Sequence, residues 1–194
     1  TAYFNFDENE EYKQFFETFQ TGIKVNDSAI IYLHDDINNT YKQYYEEETN
    51  ILVTDITNTY FNLNIKQTDF VMLKENILVK KYNFKNNSNI DMDINFLIYS
   101  KVFSNLNNDT CGYIRNDALL QYNHDFTVCT FSKKQLYSYQ INGIMDTFRT
   151  GIIGGKDYVG MSRDSGISYK VDMLKPGEES ELIIYVSIND NGEK

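Results

Sequence analysis

Two histidines are the only imidazoles in the chain, and each precedes an acid: His34-Asp35-Asp36 and His124-Asp125. An aspartate can hold an imidazole in the tautomer that a general base needs. Adjacent residues of a strand face opposite ways, however, and both pairs stand where strands are expected to end, so both read as turn or surface groups. No Gly-x-Ser-x-Gly elbow presents a nucleophile. Cys111, placed in a turn, and Cys129, in an alternating strand, lack Cys-x-x-Cys spacing and make no metal-ligand set. Glycoside hydrolysis needs two carboxylates at a fixed separation. Glu46-Glu47-Glu48 reads instead as a solvated run, and Asp7, Glu8, Glu10 and Glu11 as the acids of a helix start. Gly151-Ile152-Ile153-Gly154-Gly155-Lys156 lacks the spacing and the Ser or Thr of a phosphate loop. The residues therefore assign no catalytic group, metal ligand or cofactor contact.

Aromatic side chains remain. Tyr and Phe number 16 and 13, and Trp is absent. Stacked aromatics beside Asn and Asp can hold sugars, and Tyr41, Tyr44, Tyr45, Tyr137 and Tyr139 are the candidate contacts. The lack of Trp, the largest stacking surface, weighs toward ordinary half-buried sheet tyrosines.

The elements that would position these groups follow a period of two. In Asp91–Phe103 one face carries Met92, Ile94, Phe96, Ile98 and Val102, and the other carries Leu97, Tyr99 and Phe103 among polar residues. With Ile77–Phe84 this reads as two long strands joined by a tight turn. The mixed face is too apolar for open solvent and calls for a cover, either a second sheet or a neighbouring domain. Further strands are expected at 29–34, 51–57, 60–65, 70–73, 118–123, 126–132, 136–140, 158–162, 167–174 and 181–188. Polar turns such as Lys175-Pro176-Gly177-Glu178 separate them. A short helical turn is expected near Ile144–Phe148. Tyr12, Phe15, Phe16 and Phe19 recur at helical spacing behind Asp7, predicting a short helix over 7–19. The reading is one all-β domain, a large antiparallel two-sheet sandwich over 28–194, preceded by an N-terminal segment over 1–27.

Length and charge bound the function. At 194 residues the chain can bury a sizeable core without disulfides or metal. A net charge of −10 argues against nucleic acid or an anionic membrane surface as a partner, since both need clustered Lys and Arg. No apolar run is long enough to span a bilayer as a helix. Two cysteines suit a cytoplasmic, reducing setting, and an exported one stays open should a leader have been removed. Glycosylation-type triplets begin at Asn26, Asn38, Asn86 and Asn108, as chance supplies in so Asn-rich a chain. The chain reads as a piece of a longer protein.

Four segments together resemble the N-terminal β-sandwich of bacterial glucoamylase-type enzymes, glycoside hydrolase family 15. They are Glu46–Thr57, then Gln67–Leu73 continued by Ile77–Asn86, then Asp117–Asp125, and last Leu174–Glu181 with its Leu-Lys-Pro-Gly-Glu turn. The resemblance spans about two thirds of the chain and leaves out the stretch before Asp27. It implies a super-sandwich shaped like galactose mutarotase, packed against an (α/α)6 barrel that holds the catalytic glutamates of an inverting α-glucosidase. No barrel sequence is present, so no catalytic residue carries over. On this reading the chain is a non-catalytic accessory domain, with Leu97, Tyr99 and Phe103 as candidate contacts to the barrel of the same polypeptide. Two other readings stay open: an independent carbohydrate-binding module taking an oligosaccharide, and a mutarotase-like enzyme built on His124 with a nearby carboxylate.

Overall fold

The computed structural model describes residues 3–6, 12–103, 110–123, 126–155 and 158–189. In chain order the strands are β1 (Tyr3–Phe6), β2 (Tyr12–Gln14), β3 (Phe16–Val25), β4 (Ile31–Tyr32), β5 (Asn39–Tyr45), β6 (Leu52–Asn58), β7 (Leu63–Val71) and β8 (Ile77–Asn86). Then come β9 (Ile94–Val102), β10 (Cys111–Arg115), β11 (Ala118–Tyr122), β12 (Thr127–Phe131) and β13 (Ser138–Ile141). Helix α1 (Ile144–Arg149) precedes β14 (Val159–Gly160), β15 (Asp164–Lys170) and β16 (Glu179–Asn189).

Two antiparallel sheets face each other, as the alternation predicts. One runs β14-β10-β11-β12-β16-β8-β7-β6-β5 and the other β13-β15-β9-β3-β4, with β1 and β2 forming a separate ribbon. Alternate residues of each strand point into the space between the sheets, where Phe16, Ile23, Ile65, Tyr82, Phe84, Phe96, Ile98, Ile167, Ile184 and Val186 make a continuous apolar core. A polar tie joins the layers inside it. Gln121 of β11, 1% exposed, accepts a hydrogen bond from Ser100 Oγ of β9 at 2.6 Å and donates to the Ser100 and Arg163 carbonyls.

Three expectations change. β8 and β9 do not pair with each other: β8 lies between β16 and β7, and β9 lies between β15 and β3 in the opposite sheet. Residues 87–93 therefore cross between layers, held by Asn86. Its amide donates to the Ile90 and Leu174 carbonyls at 2.7 and 2.9 Å, and its Oδ1 accepts from Ser88. Asn86 is fully buried, which removes that triplet as a glycan acceptor in the folded chain.

The helix expected over 7–19 is corrected. Of its described residues, 12–14 are β2 and 16–19 begin β3, beside β9 in the sandwich itself, although the sequence sets 1–27 apart. The register of β3 against β9 shifts between Phe16 and Thr18, and Phe15 and Phe16 are both buried. An irregularity of this kind sends consecutive side chains inward and breaks the period of two, so the aromatic spacing imitates a helix. Lastly, Cys111 lies in strand β10 rather than a turn. β11 separates it from Cys129 in β12, and both thiols are free. Two inter-strand spacings come to about 9.5 Å, beyond the Cα separation a disulfide tolerates, roughly 7 Å.

Candidate functional site

The mixed face of β9 is covered from within the domain. Leu97 and Tyr99 are buried under Ile144 and Phe148 of α1 and under Ile153 of the segment after it. Helix α1 has six residues and starts from Gly143, whose φ of 62° is left-handed and suits glycine. Ile144 and Phe148, four apart, share the face that meets the sheet. Contact is close because β15 offers Gly166 there: a Cβ on it would stand 2.6 Å from Ile144 Cγ1. The Phe148 ring sits 5.6 Å from that of Tyr99 and 5.9 Å from that of Tyr32. Burial here pushes the Tyr99 phenol up to about 12, with Asp164 and Glu17 adding negative charge. Phe103, the third residue of that face, is half-buried; its N–H donates to the Phe15 carbonyl and its carbonyl accepts from the Asn123 amide.

On the other side of the five-stranded sheet, the gap between the layers opens into a cleft of about 570 Å³. One wall is β3 from Glu17 to Thr21 with Leu33 and His34 beyond β4; the other is the inner face of β5 to β8, carrying Tyr41, Gln43, Thr54, Ile56, Gln67 and Lys80. Cross-strand register builds this second wall. Tyr41 pairs with Ile56, Gln43 with Thr54, and Asp69 with Lys80. Gln43 Nε2 donates to Thr54 Oγ1 at 2.9 Å. Lys80 Nζ meets Asp69 at 2.8 Å, with both side chains mostly buried, and Gln67 Nε2 donates to the second Asp69 oxygen. Beneath, the Tyr82 phenol is held well above its ordinary range, first by burial and then by the charge of Asp69. Glu17, on the opposite wall, is ion-paired with Lys101 and Arg163.

The cleft therefore offers amides, hydroxyls and one tyrosine ring, while its nearby carboxylates Glu17 and Asp69 are each neutralised by a cation. That suits holding a hydroxylated ligand better than proton transfer to one. His34 lines the rim, exposed, with its ring edge-on to Tyr32 at 5.7 Å. His124 lies outside the described residues, as do Asp7 to Glu11. Among the described residues no group of three or more His, Cys, Asp or Glu is placed to hold a metal ion.

The five candidate tyrosines are not gathered on one face. Tyr41 lines the cleft, its hydroxyl accepting from Asn39 Nδ2 at 3.0 Å. By alternation Tyr45 shares its face and Tyr44 points the other way, under Lys42 Nζ at 5.5 Å from the ring. Tyr137 borders a separate pocket, beneath Lys170. Tyr139 stacks obliquely on Tyr158 with centroids 4.8 Å apart, and their hydrogen bond pushes the Tyr139 phenol up to about 12. The cleft residues Gln20, Gln43, Thr54, Gln67 and Lys80 escape sequence reasoning. Only strand register places them together, and the alternation of β6 and β7 is the one signal that points inward.

No protein-family model matches the sequence, and no curated protein matches it. Solved structures do. A bacterial glucoamylase complexed with acarbose superposes at a TM-score of 0.69 with 15% identity, over 92% of this chain and 27% of the enzyme. A GH36 α-galactosidase from Geobacillus stearothermophilus, in complex with stachyose, gives 0.42 and 10% over 94% of this chain and 29% of that one. An α-galactosidase from Lactobacillus brevis gives 0.40 and 10%, over 96% and 28%. The chain thus spans little more than a quarter of each of these proteins, and it shares with the glucoamylase the architecture of a large two-sheet sandwich.

Proposed function

We propose that this chain is the non-catalytic accessory sandwich of a glycoside hydrolase, glucoamylase-like and acting on α-glucans or maltooligosaccharides, with the active site in an (α/α)6 barrel of the same polypeptide. The observation that carries the reading is the superposition of nearly the whole chain on about a quarter of a glucoamylase. The ion-paired state of the cleft carboxylates agrees with a domain that does no hydrolysis itself. A surface for the barrel is available at the β7–β8 turn, where Val71 and Met72 are part-exposed and Leu73 is 94% exposed. Incubating the isolated chain with maltotriose and analysing the products tests the reading. No cleavage is expected, and turnover that survives repurification would overturn it. Joined to its barrel, the chain is expected to raise the barrel's thermal midpoint, and Leu73→Glu to reduce that gain.

The cleft favours a second reading, an independent carbohydrate-binding module. Calorimetry with maltotriose separates the two: heat of binding lost on Tyr41→Ala and Gln43→Ala supports the module.

A further inference from the structure

A second pocket, of about 510 Å³, lies on the outer face of the five-stranded sheet. Register builds it across three strands. Lys24 of β3 and Lys170 of β15 both pair with Asn95 of β9, so the two ammonium groups flank one carboxamide. Asn95 is 8% exposed and lines the pocket, and its Oδ1 is buried without a hydrogen-bond partner. Such a group costs about 1–3 kcal/mol when left unsatisfied, so its retention calls for a reason. Around it stand Asp27 and Asp93, the latter 2.7 Å from Lys170 Nζ. Tyr137 forms the aromatic border, 59% exposed, with Lys170 Nζ 5.0 Å from its ring centroid. Residues 151–153 roof it over. Gly151 holds a φ of 70° there, and a Cβ on it would stand 3.2 Å from Lys24 Cδ.

We propose that this pocket is a binding site for a neutral saccharide, separate from the inter-sheet cleft. Its charges balance, two lysines against two aspartates, so it exerts no net pull on an ion. It presents donors (Lys24, Lys170) beside the carboxylate acceptors Asp27 and Asp93, with the unpaired Asn95 oxygen buried beneath them, which matches the dual donor and acceptor character of a hydroxyl. A ring at the border supplies the apolar surface that a sugar's C–H face needs, and the volume falls in the usual range for small-ligand sites. The inference rests on the carbohydrate-enzyme reading only for the choice of sugars to test.

The experiment is a titration of the isotope-labelled chain with maltotriose and, separately, stachyose, followed at the backbone amides of Gly151 and Lys170, which line the pocket. A saturable shift with one of them is expected, and which one tells glucan from galactoside. Tyr137→Ala, an exposed change that leaves the fold alone, should weaken binding about tenfold, or 1.4 kcal/mol. Asn95→Ala should abolish binding while leaving the thermal midpoint unchanged or raised, because it deletes an unsatisfied group. Tyr41→Ala in the cleft should leave this titration untouched, so failure here and failure of the cleft reading are told apart. No saturable shift with either sugar at millimolar concentration would overturn the proposal. So would full binding in Asn95→Ala, or binding of gluconate in preference to both neutral sugars.

Discussion

Phe148→Ala tests whether α1 is the true cover of β9. A helix of six residues is too short to persist alone, so its position depends on what Ile144 and Phe148 bury. Phe148 is fully buried, and its ring meets Tyr99 and Tyr32. Truncating a buried Phe costs roughly 3–5 kcal/mol in a rigid core. Here the cavity would open on a cluster of only five buried residues, which can relax, so the lower end, about 3 kcal/mol, is expected. In a domain of this size that lowers the midpoint by about 6–12 °C. The assay is urea denaturation together with ultraviolet titration of the tyrosines. With α1 undocked, water reaches Tyr99, and its phenol should fall from about 12 toward the ordinary 10.0. The sign follows from the raised value. The fold favours the protonated phenol, so that stabilisation is complete below pH 10 and fades as pH climbs through 12; in the variant the alkaline fade should shrink. A loss under 1 kcal/mol with an unmoved phenol titration would refute the account.

Four further outcomes are expected. Gln121→Leu, which severs the tie to Ser100 and the Arg163 carbonyl, should cost about 1–3 kcal/mol by equilibrium unfolding; a neutral result would show that the sheets need no polar tie. Gly166→Ala should cost about 1–3 kcal/mol through its clash with Ile144, and Ile144→Ala in the same chain should recover part of that loss. The Asp172 carboxyl is held below its usual range by the hydrogen bond from Lys134. Lys134→Met should therefore raise it toward the usual carboxylate range by NMR titration, with the hydrogen bond from Ser180 keeping part of the depression. This exposed pair contributes while the carboxyl is ionised and fades as pH falls through its lowered pKa, with little effect on overall stability. Finally, a reducing agent should leave the unfolding curve unchanged, and thiol reagents should label the chain slowly at neutral pH, because burial pushes both the Cys111 and Cys129 thiols up.

Much of the sandwich is legible in the sequence where one face of a strand is buried and the other is not. β16 alternates cleanly and β8 does so from Tyr82 to Asn86, and their turns carry Asn, Gly and Pro. β5 is invisible for the opposite reason: six of its seven residues are exposed, so no alternation marks it. β9 is buried on both faces, which explains why Leu97 and Tyr99 look unsuited to solvent, but nothing local says that a helix near residue 146 covers them. Both pockets are harder still. Each is made by register between strands remote in sequence, as where Lys24, Asn95 and Lys170 line up, and a single sequence holds no record of register between distant strands.

The place of β16 has a consequence for how the chain comes together. It is the last of the described strands, yet it sits in the middle of the nine-stranded sheet, bonded to β12 on one side and β8 on the other. Its partners lie far back, Glu179 against Lys85 and Val186 against Thr130. Until residues 179–189 arrive, the wide sheet can exist only as two separate ribbons, β5 to β8 and β10 to β12 with β14, each with an open inner edge. On the ribosome the sheet must therefore wait for β16, and closure should be slow, on the order of milliseconds to seconds, as for other folds dominated by distant pairings. A chain stopped before Glu179 should stay protease-sensitive, and one extended past Asn189 should become resistant in a single step.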